Sequence, residues 1–107
     1  MTWRGIIRKI VLGPTIKDVI EHNPAEVAVK TSKVPEMPFG DTSVHAENLY
    51  ASFRYVGQDG KERETKLGYG LIVPDSRTEA QDAARAEAKL DTYINRLIEN
   101  GISVRRQ

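Results

Sequence analysis

The residues able to do chemistry are few, and their spacing serves it poorly. His22 and His45 are the only histidines, and the chain has no cysteine. A zinc site needs three or four ligands, whereas His45-Ala46-Glu47 offers two. His22 follows Glu21 at the end of a short helical pattern, where the helix dipole alone favours an imidazolium. Ser43 and His45 are too close in sequence to argue a triad, and no G-x-S-x-G segment is present. Glu62 and Glu64 share one face of an alternating segment, but Lys61, Arg63 and Lys66 surround them, which describes a solvated hairpin tip. Gly68-Tyr69-Gly70-Leu71 lacks the G-x-G-x-x-G spacing and leads into more strand, so it is not a dinucleotide fingerprint. No Walker A sequence occurs. These residues assign no catalytic group, no cofactor and no metal, and the chain is not expected to be an enzyme.

A second set of residues suits binding better. In the two alternating segments, one face carries Asn48, Tyr50, Ser52, Arg54 and Val56 opposite Glu64, Lys66, Gly68, Gly70 and Ile72. Glycine weakens a strand and often marks a bulge or the close approach of a backbone or ligand. Tyr50, Ser52, Arg54 and Lys66 would rim a shallow surface floored by Gly68 and Gly70. Such a surface suits a protein partner, and its aromatic and basic groups also suit nucleic acid. Met37 and Phe39, in a proline-bearing connection, are added to the expected partner contacts. Pro35-Glu36-Met37-Pro38 has the PxxP spacing, a weak signal by itself.

The elements that must position this face follow from hydrophobic period. Residues 3–12, WRGIIRKIVL, place Trp3, Ile6, Ile7, Ile10 and Val11 at helical spacing, with Gly5 and the branched pair leaving a strand open. Gly13-Pro14 ends that segment. Thr15 caps a short helix over 16–22 with Asp18 in the reciprocal position, and Asn23-Pro24 stops it. Residues 25–31 alternate as a strand. Residues 32–46 have no period and read as a long loop. Residues 47–56 and 61–73 alternate, and Gly57-Gln58-Asp59-Gly60 between them supplies a turn, so the pair is a long hairpin. Its expected core face is Leu49, Ala51, Phe53 and Tyr55 with Leu67, Tyr69, Leu71 and Val73. Ser76-Arg77-Thr78-Glu79 reads as a capping box opening a helix from Arg77 to about Glu99. Its apolar stripe runs through Ala80, Ala83, Ala86, Leu90, Tyr93 and Leu97, widened by Ala84, Ile94 and Ile98. Asn100-Gly101 fits a left-handed cap, and Ile102-Ser103-Val104 adds a short edge strand before a fraying tail.

The expected fold is therefore α+β: an antiparallel sheet centred on the hairpin, packed on one face by a long C-terminal helix and short N-terminal helices. The 107 residues suit a single compact domain, with a long loop at about 32–46 and frayed basic ends. No internal repeat appears. No run of apolar residues is long enough for a membrane-spanning helix, and residues 3–12 make a poor signal peptide, so the cytoplasm is the expected compartment.

The net charge of +1 conceals an asymmetry. Residues 1–17 carry +4 and residues 105–107 carry +2, so the body from 18 to 104 carries −5. Arg4, Arg8, Lys9, Arg105 and Arg106 would form one basic patch if the ends converge, and they are the expected phosphate contacts in a nucleic-acid reading.

The order short helix, strand, hairpin, long helix resembles that of double-stranded RNA-binding domains. The local echo is Gly68-Tyr69-Gly70 followed by Ser76-Arg77-Thr78-Glu79-Ala80-Gln81-Asp82-Ala83-Ala84, within residues 15–99. The opening of this helix carries Arg77 with Glu79 and Asp82, where that family sets consecutive lysines on phosphates. The loop of 32–46 and the insertion 71–75 also depart from it, so the family is not assigned. The first expectation is a non-enzymatic domain that binds a larger protein, as an accessory, regulator or inhibitor, by steric contact or recruitment. Self-association through the hairpin edge or the long helix belongs with it. The alternative is a nucleic-acid accessory protein.

Overall fold

The computed structural model describes residues 15–36 and 46–107. The elements are α1 (Ile16–Glu21), β1 (Glu26–Glu36), β2 (Ala46–Val56), β3 (Glu62–Ile72), α2 (Glu79–Glu99) and β4 (Ser103–Arg106). The sheet order is β3-β2-β1-β4. The three long strands are antiparallel, and β4 joins the far edge parallel to β1. The architecture is the expected α+β one, with the long helix and the short helix on the sheet.

Local chemistry starts and stops each element. The Asp18 carboxylate accepts the Thr15 N–H at 2.7 Å, so α1 opens on the reciprocal half of a capping box. After His22 the chain turns at Asn23 (φ 44°) ahead of Pro24. In the β2–β3 turn, Gly60 N–H donates to the Gly57 carbonyl and Gly57 N–H to the Lys61 carbonyl, each at 2.9 Å. Gly60 at φ 80° supplies the left-handed residue that this bulged three-residue turn requires. At the end of α2, Gly101 (φ 78°) donates to Ile98 and Ile102 to Leu97, a Schellman closure whose hydrophobic partner, Ile102, is buried.

Three boundaries differ from the sequence reading. Residues 32–36 continue β1 in register with β2 down to Glu36–Ala46, so the aperiodic stretch is strand in its first third. Pro35 is tolerated there near the strand end. Residues 37–45 lie outside the described residues, as do residues 1–14. Helix α2 begins at Glu79 rather than Arg77: Thr78 is its cap, its hydroxyl meets Asp82 at 3.0 Å, and Glu79 instead accepts the Asp75 N–H. The C-terminal tail does not fray. Arg105 and Arg106 belong to β4, and Gln107 N–H donates to the Val29 carbonyl at 2.9 Å.

The core lies between the sheet and the helices. Val27, Val29, Phe53, Leu90, Leu97 and Val19 are almost wholly buried, with Leu49, Ala51, Tyr55, Leu67 and Tyr69 beside them. The Phe53 and Tyr93 rings meet edge to face at 6.3 Å. In α2 the buried stripe is Ala86, Leu90, Ile94 and Leu97, while Ala80, Ala84 and Ile98 are exposed.

One irregularity shifts the last three residues of β3. Leu49 pairs with Gly70 and Tyr50 with Gly68, so Tyr69 is an extra residue in a β-bulge. Gly68 faces away from the helices, whereas both Tyr69 and Gly70 turn toward them. Beyond the bulge the phase is reversed. Leu71, expected in the core, is 48% exposed on the opposite face, and Ile72 packs against the core. The bulge also moves Gly70 off the expected binding face. A Cβ at Gly70 would lie 2.5 Å from Ala86 Cβ, so the missing side chain is what lets α2 approach the sheet.

Gly70→Ala is expected to cost about 1–3 kcal/mol through overpacking. Ala86→Gly alone also destabilises, by about 1 kcal/mol of helix propensity. In the double variant the nearest neighbour of the new Cβ becomes the Cα at position 86, 3.4 Å away, so part of the loss is recovered. Denaturant unfolding of the four proteins in a double-mutant cycle checks this coupling. Burial, aided by Glu87, raises the Tyr69 phenol above its usual value, while Thr31 and Arg106 oppose the shift. Its neutral form stabilises the fold below the unfolded tyrosine value of about 10, and that contribution is lost as pH rises through the raised value. Unfolding free energy is therefore expected to fall less steeply at alkaline pH in Tyr69→Phe than in the parent.

Candidate partner-binding face

The sheet face opposite the helices is uncovered among the described residues, and strand register sorts its side chains into rows. Ala28 pairs with Arg54 and Arg54 with Glu64; Lys30 pairs with Ser52 and Ser52 with Lys66. The next rows are Ser32–Tyr50–Gly68 and Val34–Asn48–Leu71. The face thus grades from charged near the β2–β3 turn to apolar at its other end.

At the charged end the ions satisfy one another. Arg54 Nη2 lies 3.3 Å from Glu62 Oε1, and Arg54 Nε lies 3.7 Å from Glu64 Oε2. Ser52 Oγ donates to Glu64 Oε1 at 3.1 Å, and Arg105 Nε sits 3.5 Å from Glu26 Oε1. A shallow depression of about 460 Å³ lies here, with Ala28, Val56, Arg54, Arg105, Glu26 and Glu62 among its lining residues. Exposed pairs of this kind contribute roughly 0–1 kcal/mol each, so their main effect is on the potential. The two carboxylates flagged in the sequence, Glu62 and Glu64, neutralise Arg54.

The middle of the face carries Lys30 and Lys66. Among the described residues no ion pair engages Lys30 or Lys66. Lys66 Nζ stands 5.1 Å from the centroid of the Tyr50 ring, within cation–π range. The same ring covers Gly68, where a Cβ would meet it at 3.5 Å. A cross-strand aromatic laid over an edge-strand glycine restores the packing that the glycine forgoes. At the far end, Val34 (40% exposed) and Leu71 (48%) flank Asn48, one row from Tyr50.

The face brings together Tyr50, Ser52, Arg54, Lys66 and Gly68 as expected, and excludes Gly70. Met37, Phe39, Arg4, Arg8 and Lys9 lie outside the described residues. Arg105 is on this face but paired; Arg106 aligns with Val29, on the helix side. Lys30, Val34 and Leu71 escaped the sequence reading. Val34 lay in a segment read as loop. Leu71 was assigned to the core by an unbroken alternation, and the paired glycines around Tyr69 were the signal for the phase change.

A separate polar corner closes the hairpin. The Lys61 N–H donates to Asp59 Oδ1 at 3.0 Å, and Arg63 is ion-paired to the other oxygen. The Lys61 amide above all holds the Asp59 carboxyl below its ordinary value; burial opposes it, and Arg63 and then His22 add to the lowering. His22 meets the Tyr55 ring edge to face at 5.8 Å. Arg63 Nε is buried without a partner among the described residues. Among the described residues no three metal-ligating side chains converge, and no helix is long and apolar enough to cross a membrane.

Because the Tyr50 ring leaves ordinary contact distance above Gly68, Gly68→Ala is expected to be neutral or to stabilise by up to about 1 kcal/mol, opposite in sign to Gly70→Ala. Tyr50→Ala uncovers Gly68 and Lys66 together and is expected to cost about 1 kcal/mol. Thermal unfolding of the two variants reads both effects. Comparison of the chain with protein-family models, with curated proteins and with solved structures finds no match.

Proposed function

We propose that the chain is a non-enzymatic protein-binding accessory or regulatory domain, acting on a larger partner by steric contact or recruitment through its open sheet face. The observation that carries this reading is the pair of exposed residues Val34 and Leu71 flanking Asn48, one row from Tyr50 and two rows from Lys30 and Lys66. Apolar and aromatic groups at the centre of a contact supply most of its affinity, and a rim of charge supplies orientation. A fitting partner segment places an apolar side chain over Val34 and Leu71 and a carboxylate over Lys30 and Lys66.

A nucleic-acid accessory role is the alternative. Lys30, Lys66 and Tyr50 are the residues that favour it, since a base can stack on the ring between two phosphate contacts. The pairing of Arg54 with Glu62 and Glu64, and of Arg105 with Glu26, weakens it by removing cations from the phosphate path.

Co-purification from the native host, with and without nuclease, separates the two. The expected outcome is a stoichiometric, nuclease-resistant protein partner. Its affinity should fall about tenfold or more with Leu71→Glu, as for loss of a central apolar contact, and stay unchanged with Ile98→Glu on the exposed back of α2. Salt-sensitive binding to a nucleic-acid panel without any protein partner, or equal binding by both variants, would overturn the proposal.

A further inference from the structure

Strand β3 forms one border of the sheet, and among the described residues nothing pairs with its outer side. We propose that this edge pairs antiparallel with the same edge of a second copy, in one register, centred on Thr65, so that two sheets become one.

The backbone specifies which groups are available. Gly57 N–H bonds to the Lys61 carbonyl, which makes 57/61 a hydrogen-bonded pair of the hairpin. Hydrogen-bonded and non-bonded pairs alternate along an antiparallel ladder. Arg63, Thr65 and Leu67 therefore direct their amides and carbonyls toward β2, and Glu62, Glu64, Lys66 and Gly68 direct theirs outward. The regular part of the edge ends at Gly68, because the bulge at Tyr69 follows. The usable stretch, Glu62 to Gly68, has Thr65 at its midpoint.

Charge then selects the register. About a twofold axis through Thr65, each Glu64 lies opposite Lys66 of the other copy, twice over, and Glu62 lies opposite Gly68. A shift of the axis to residue 64 sets Glu64 against Glu64; a shift to residue 66 sets Lys66 against Lys66. Opposite charges directly across strands stabilise pairing, and like charges oppose it. A lysine in a long edge strand ordinarily discourages association. Here it excludes the neighbouring registers and leaves one that is complementary.

The test uses the purified full chain. Sedimentation or light scattering is expected to show a species of twice the 12.0 kDa chain mass that dissociates on dilution. Lys66→Glu and Glu64→Lys should each weaken the dimer about tenfold or more, and the double charge swap should restore it. Thr65→Cys gives a readout of register, because the native chain contains no cysteine to compete. The two Thr65 residues would form a non-bonded pair with Cα atoms about 4.5 Å apart, within disulfide reach. Oxidation should then yield a covalent dimer. Circular dichroism confirms that each variant is folded. A chain that stays monomeric at all concentrations overturns the proposal, as does a dimer indifferent to both charge reversals or a folded Thr65→Cys protein that does not crosslink.

Discussion

The approach of Ala86 to Gly70 governs the arrangement of this molecule. The helix lies against the sheet at a point where one strand residue has no side chain, and that residue faces the helix because Tyr69 is inserted one position earlier. Without the insertion, alternation would place Gly70 on the outer face and Leu71 under the helix. The bulge thus performs two tasks with one residue. It brings a glycine under α2 and delivers a leucine to the opposite surface. The tight contact and the exposed row of Val34 and Leu71 are two results of the same backbone feature.

Much of this architecture was legible in the sequence, for identifiable reasons. The hairpin declared itself through period-two alternation on both sides of a glycine-bearing turn. Helix α2 declared itself through its length, its alanines and the Asn100-Gly101 stop. Asp18 marked the start of α1. What remained hidden depended on contacts between distant residues. The last third of β1 carries Val34 and Pro35, which resemble a loop until β2 is laid beside them. The attachment of Arg105 and Arg106 to the sheet is invisible in a charged tail, because the pairing partners lie near residue 28. The phase change in β3 required reading Gly-Tyr-Gly as a bulge rather than as two vacancies on one face.

The candidate face illustrates how register converts composition into potential. Residue counts place arginines, lysines and glutamates on the same surface without saying which neutralise each other. Pairing distances separate them into an ion-paired end around Arg54 and Arg105 and a middle where, among the described residues, no ion pair engages Lys30 or Lys66. A nearly neutral chain can thereby present a local positive band beside apolar side chains, and its net charge says little about what it attracts.

The parallel attachment of β4 also bears on the order in which the fold assembles. Strands β2 and β3 meet across a turn of a few residues, so their pairing closes a short loop. The pairing of Glu26 with Ser103 closes one of 77 residues, since 103 minus 26 is 77, and it must wait for the crossover through α2. Loop entropy makes such a contact slow to form. One side of β1 is consequently the last part of the sheet to be satisfied during folding. Its completion depends on a four-residue strand held at one end by the Schellman closure of α2 and at the other by Gln107.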